Sequence, residues 1–183
     1  MAGDTLAQRV CGACTACCVS LAIDDPAIRK RAGHPCVHRV AGEGCAIYDS
    51  RPSTCREFIC GWRALDWVDE GLRPDRAGVL IFLAETVPEE ARDFEVAVFF
   101  AILEERGLAA PGLAEAVARI MGMGIAVLLN VPGAPGDAGA QMLANPALSV
   151  AASAGDMDAL RRDLRGLYRS LRFLVGTGTL SGA

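Results

Sequence analysis

Phe94-Glu-Val-Ala-Val-Phe-Phe100, Pro111-Gly-Leu-Ala-Glu-Ala-Val-Ala-Arg-Ile-Met121 and Ile125-Ala-Val-Leu-Leu-Asn-Val131 follow one another with short connections. The outer two runs are rich in β-branched and aromatic residues and have strand length. The middle run carries Leu113, Ala116, Val117 and Ile120 at helical spacing, with Pro111 where a first helical turn tolerates it. Gly122 and Gly124 stop that helix. Strand, helix, strand in this order predicts a βαβ unit with parallel outer strands and a right-handed crossover. The first run also admits a second reading, as the start of a helix reaching Arg106.

Working outward, Ala77-Gly-Val-Leu-Ile-Phe-Leu-Ala84 is a continuous apolar run that predicts a buried strand, and Pro88 to Asp93 a polar connector. Arg63 to Glu70 has helical spacing around Trp67 and Val68 and ends at Gly71, ahead of Arg73-Pro74-Asp75. Asn145 to Ala154 reads as partly helical. Asp156 to Val175 is the clearest helix, with Asp156 as its cap and Leu160, Leu164, Leu167, Leu171 and Leu174 as one apolar stripe. Its arginines form the solvated face, and the glycine-rich end from Gly176 to Ala183 reads as a frayed tail. Pro132-Gly-Ala-Pro-Gly136 follows a strand where open α/β sheets bind ligands, but it has no phosphate fingerprint and reads as a plain loop. Glu89, Glu90, Glu104 and Glu105 read as solvating carboxylates.

Composition narrows the function classes. The chain has 183 residues, 52% hydrophobic and 22% charged, with net charge −4. That is one domain, or one domain with a small appended module, large enough to fold without disulfides. Aromatics at 5% argue against a stacking platform for single-stranded nucleic acid. The charge is +2 through Arg63 and −6 beyond it, so neither half reads as a nucleic-acid module. Lys30 is the only lysine, no phosphate-binding G-x-x-x-x-G-K-[ST] occurs, and His34 and His38 are the only histidines. No apolar run is long enough for a membrane span, and residues 1–10 lack the apolar stretch of a signal peptide. The expectation is a cytoplasmic protein without membrane or nucleic-acid partners; a protein partner is not specified.

All eight cysteines lie between Cys11 and Cys60. They read Cys11-x2-Cys14-x2-Cys17-Cys18, then Cys36-x8-Cys45-x9-Cys55-x4-Cys60. A C-x2-C step lets a chain turn place two thiolates on one ion. Three ligands at successive x2 spacings also wrap iron–sulfur clusters, although no x3-Cys-Pro follows here. Buried small hydrophobes do not explain the clustering, and four disulfides do not fit a reducing compartment. Metal binding is the preferred reading, with zinc and iron–sulfur both open. Adjacent side chains diverge, so Cys17 and Cys18 are expected to serve different centres, and eight thiols then make two four-ligand sites. His34 and His38 flank Cys36 as possible replacements for a thiolate or as supporting donors. Arg51 and Arg56 stand where a guanidinium offsets thiolate charge, or else on the surface. Pro52 is placed to start the turn or helix delivering Cys55, while Phe58 and Trp62 read as core.

The Cys11-x2-Cys14-x2-Cys17-Cys18 run, the Cys36-Val37-His38 step and the segment Cys45-Ala-Ile-Tyr48-Asp-Ser-Arg51-Pro52-Ser-Thr-Cys55-Arg56-Glu-Phe58-Ile-Cys60 occur in this order. Together they resemble the YkgJ-type CxxCxxCC cysteine-cluster family, described as a zinc- or iron-chelating domain. The resemblance covers about residues 11–62. It implies that Cys11, Cys14, Cys17, Cys18, Cys36, Cys45, Cys55 and Cys60 are chelators, and it supplies no reaction. Some longer relatives are linked to protein lysine methylation, but no S-adenosylmethionine site is evident in this sequence.

The expected architecture is α+β. A cysteine-cluster module over 1–62 packs on a small mixed sheet with a βαβ unit and a long C-terminal helix over 63–176, and 177–183 form a flexible tail. The expected function is metal chelation through up to eight cysteines. The alternatives are an iron–sulfur redox enzyme or electron carrier, and a thiol redox switch.

Overall fold

The computed structural model describes residues 9–137 and 139–176. Residues 16–77 form short elements: α1 (Ala16–Ser20), β1 (Ile23–Asp25), β2 (Ile28–Lys30), β3 (Arg39–Val40), β4 (Gly44–Cys45), α2 (Ser53–Glu57), α3 (Gly61–Ala64) and α4 (Pro74–Ala77). β1 pairs with β2 and β3 with β4, both antiparallel. A larger layer follows: β5 (Val79–Leu83), β6 (Ala97–Ile102), α5 (Leu113–Gly122), β7 (Ala126–Val131), β8 (Ala140–Leu143), α6 (Asn145–Ala154) and α7 (Met157–Gly176).

β5 to β8 make one mixed sheet in sequential order, with β6 and β7 parallel and the outer pairs antiparallel. The expected βαβ unit is therefore present as β6–α5–β7. Strand alternation sorts the side chains into two faces. Ile81, Phe100, Leu129 and Met142 stand in one register row, and Phe82, Phe99, Leu128 and Leu143 in the next. The first row belongs to the main core with Val117, Ile120, Leu148, Leu160, Leu164 and Leu171 from α5, α6 and α7. The second row faces the other way, where Ala91, Ala97, Ala126 and Leu128 form a smaller cluster. Helices thus cover one face of the sheet, and the cysteine segment lies over the other.

Several boundaries differ from the sequence reading. The helix expected over 63–70 is confined to α3, after which Leu65 is extended and Trp62, Val68 and Leu72 enter the core. The segment closes with a 3-10 turn, Glu70–Leu72, capped by Asp69 accepting the Gly71 N–H at 2.6 Å. Burying three separated apolar side chains outweighs helical spacing there. The run from Phe94 is a strand only from Ala97, and a 3-10 turn, Glu105–Ala109, replaces the alternative helix. Pro111 lies outside α5, whose cap is Gly112 at φ +79°. β8 lies in a segment that carried no strand expectation. The segment 145–154 is helical throughout, with Asn145 accepting the Val127 N–H and donating to the Ile125 carbonyl, so that α6 is pinned to β7. The tail expected over 177–183 lies outside the described residues.

α7 begins as expected, with Asp156 Oδ1 accepting the Ala159 N–H at 2.8 Å. Tyr168 joins Leu160, Leu164 and Leu171 as its buried residues, while Leu167 and Leu174 are half-buried. Arg161 reaches Glu115 of α5 at 2.6 Å. Removing the cap by Asp156→Ala should cost about 1 kcal/mol, read as a lowered midpoint in thermal unfolding. Among the described residues no helix is long and apolar enough to cross a membrane.

Candidate metal centre

The cysteines sit on turns rather than on long elements. Cys11 and Cys14 close a turn in which the Cys14 N–H donates to the Cys11 carbonyl at 2.9 Å, with Gly12 at φ +52°. Cys17 and Cys18 lie in α1, and Cys36 is tied to that helix by its N–H on the Cys18 carbonyl at 2.9 Å. Cys45 ends β4 opposite Arg39, and Cys55 lies in α2, which starts directly after Pro52 as expected. Cys60 forms an antiparallel bridge with Phe82, and Phe58 meets the Phe82 ring at 5.7 Å, so this end of the segment is stitched to β5. All eight cysteines are free thiols; Cys36 is buried and the other seven are half-buried.

The thiols' electrostatic partners divide only in part, since Lys30 feels Cys17 together with Cys18, Cys36 and Cys55. Cys17 feels Cys11 and Cys14, and Cys60 feels the same two. Cys55 instead feels Cys18, Cys36 and Cys45. The vicinal pair joins them: the Cys17 thiol donates to Cys18, which pushes Cys17 up and lowers Cys18 to about 6. Lys30, Arg51 and Arg39 add to the lowering at Cys18. Burial pushes Cys14, Cys55 and Cys60 above the ordinary thiol value. Backbone donors oppose it at two of them: the N–H groups of Ala16 and Asp75 reach Cys14, and those of Trp62 and Arg63 reach Cys60.

Charged side chains near Cys18 and near Cys11 differ. Lys30 Nζ donates to the carbonyls of Val19, at 3.1 Å, and Leu21, which holds the ammonium at the end of α1. Burial lowers its pKa, opposed by the charge of the Cys36, Cys18, Cys17 and Cys55 thiols. Arg39 Nε donates to Thr15 Oγ1 at 3.0 Å. Arg51 lies over the Tyr48 ring at 3.7 Å and donates from Nε to the Tyr48 carbonyl at 2.8 Å. Arg73 Nη2, by contrast, donates to the Cys11 carbonyl at 3.1 Å. Arg73 Nε stands 2.9 Å from Asp75 Oδ1 but off the line of its N–H, so the contact is an ion pair rather than an aligned hydrogen bond. Lys30, Arg39, Arg73 and Asp75 escaped the sequence reading. Only Lys30, as the lone lysine, carried any signal.

Arg51 stands beside thiols, as expected, whereas Arg56 is exposed and donates to the Arg51 carbonyl. His38 is half-buried and lines the same cavity as the cysteines; His34 is exposed and does not. Trp62 is core as expected, and Phe58 is half-buried against Phe82. That cavity measures about 810 Å³ and is walled by seven of the eight cysteines on one side and by Phe82 and Phe99 on the other.

Tested against a metal, the donor chemistry fits. Eight soft sulfurs with N–H donors and nearby cations suit thiolate-bound ions or clusters. As the thiols stand, no three His, Cys, Asp or Glu side chains among the described residues are arranged to hold an ion. Closing round one therefore requires the thiol side chains to rearrange.

The scaffold around Cys55 carries its own pH dependence. Asp25, 8% exposed, accepts the Ala27 N–H and the Thr54 hydroxyl, both at 2.9 Å, and these bonds hold its carboxyl below its ordinary value of 3.8. Its contribution to stability is fully present above that ordinary value and is lost as pH falls through the lower native one. The stability gap between the natural chain and Asp25→Ala should be level above about pH 5 and shrink in acid. Denaturant midpoints measured across that range check this.

Compared with protein-family models, curated proteins and solved structures, the chain matches none.

Proposed function

We propose that this chain is a metal-chelating cysteine-cluster protein that binds zinc or an iron–sulfur centre through two sets of four thiols. One set is Cys11, Cys14, Cys17 and Cys60; the other is Cys18, Cys36, Cys45 and Cys55. The reading rests chiefly on the cavity that seven of the eight cysteines wall together; the division into sets follows the thiols that act on Cys60, which are Cys11 and Cys14, and those that act on Cys55, which are Cys18, Cys36 and Cys45. The reading is also supported by the motif resemblance of residues 11–62 to the YkgJ-type family. A zinc ion would cross-link this segment, which has few long elements of its own, and an iron–sulfur centre would add electron transfer.

The chain's own residues have defined parts in either case. Four thiolates on a divalent ion leave a charge of about −2. Lys30, Arg39 and Arg51 offset it at the second set. The N–H groups of Ala16, Asp75, Trp62 and Arg63 stabilise sulfur charge at the first.

Anaerobic purification followed by elemental analysis and a visible spectrum tests the reading. Iron and sulfide with a brown colour select the cluster; a colourless protein with about two zinc ions per chain selects zinc. A metal-free chain that takes up neither on reconstitution contradicts the proposal.

A further inference from the structure

The space between the cysteine segment and the sheet is larger than chelation needs. Besides the cavity of about 810 Å³, a second of about 210 Å³ lies against the same sheet face, and the two share Leu21, Ala22, Phe82 and Phe99 as walls. The sulfurs already belong to the walls, so ions would fill little of this volume. Cavities of this size with mostly apolar walls and a few placed polar groups are typical of small-molecule sites. Phe82 and Phe99 form its floor, with rings stacked at 4.9 Å and 16°. Both are half-buried, although the matching row on the opposite face is sealed by helices.

We infer that this cleft binds a small amphiphilic carboxylate, its apolar ring or chain on Phe82 and Phe99 and its anionic end at Arg51. Charge decides the orientation. Arg51 lines the larger cavity, and stacking on Tyr48 with the Nε bond to the Tyr48 carbonyl fixes its guanidinium plane. Its Nη groups have no hydrogen-bond acceptor among the described residues, which leaves a preorganised fork for a carboxylate. Glu57 and Glu85 line the same cavity and repel an anion from their own parts of the wall. The Cys18 and Cys55 thiols lie near the same guanidinium, so a carboxylate competes with their charge for it and the metal content bears on the affinity.

The test is calorimetric titration of the full chain with 2-naphthoate and with its neutral counterpart 2-naphthalenemethanol, with metal content measured on the same sample. Saturable binding of one naphthoate per chain is expected in a protein that melts cooperatively. Arg51→Gln should weaken naphthoate about tenfold or more while hardly changing the neutral alcohol. Ala22→Trp should abolish binding of both, because this exposed position stands at the junction of the two cavities and tolerates bulk without disturbing the core. The inference is overturned by lack of saturable binding to the natural chain, by binding that Ala22→Trp leaves intact, or by equal loss of both probes in Arg51→Gln. Saturable binding upholds the cleft whatever the metal content, and a metal-loaded sample without binding overturns the cleft while leaving chelation standing.

Discussion

Replacing Gly44 with alanine should destabilise the cysteine segment by about 4 kcal/mol, since left-handed strain and overlap in a packed site each cost about 1–3 kcal/mol. Gly44 has φ +110°, and a Cβ there would lie 2.2 Å from the Gly12 carbonyl oxygen and 3.2 Å from its carbon. Both obstructions are backbone, so a rotamer change cannot relieve them. The contact also has a functional position: Gly12 lies in the turn between Cys11 and Cys14, and Gly44 precedes Cys45. Closing these two glycines on each other brings a part of each thiol set together. Hydrogen exchange on Gly44→Ala should show protection lost over residues 11–18 and 36–45 while β5 to β8 keep theirs. Unchanged protection in both regions would contradict this account of the segment's packing.

Phe100→Ala should cost about 3–5 kcal/mol, the range for deleting a fully buried aromatic ring. Phe100 is fully buried, between Ile81 and Leu129 in register and beneath the helices. Its neighbour Phe99 points to the opposite face and is half-buried, so Phe99→Ala should cost only about 1–2 kcal/mol. A loss of 3–5 kcal/mol is a large share of the stability of an ordinary domain, about 5–15 kcal/mol. Denaturant unfolding of the two variants side by side therefore reports which face of the sheet carries the core. Equal losses would mean that the cysteine segment seals its face as tightly as the helices seal theirs.

How much of this could be read in advance follows from how locally each feature is encoded. The runs at 77–84, 94–100 and 125–131 are apolar because the sheet is covered on both faces, and each contains a strand. The leucine stripe of α7 and its Asp156 cap are equally local signals. β8 was hidden because it is a four-residue edge strand in which only Ala140 is fully buried, too short for a period to show. The helix expected over 63–70 failed because Trp62, Val68 and Leu72 reach the core from an irregular path. In the cysteine segment, spacing alone suggested that Cys17 and Cys18 diverge, whereas their thiols are hydrogen-bonded to each other. It could not show that Asp75 and Arg73, some sixty residues on, come beside Cys14 and Cys11. Nor could it show that the lone Lys30 turns back onto α1. Those placements depend on where β5 puts Cys60 and on how the Gly12 and Gly44 backbones meet.

The central claim is that the vicinal thiols serve separate sets, and metal stoichiometry in Cys17→Ser and Cys18→Ser tests it most directly. Each single variant, purified anaerobically as the full chain, should lose one of the two metal equivalents. Adding Cys60→Ser to Cys17→Ser should remove nothing further, whereas adding Cys55→Ser should remove the second equivalent. For Cys18→Ser the dependence should be reversed. If Cys17→Ser and Cys18→Ser each abolish all binding, or if the natural chain holds a single ion sensitive to both, the two-set arrangement is wrong.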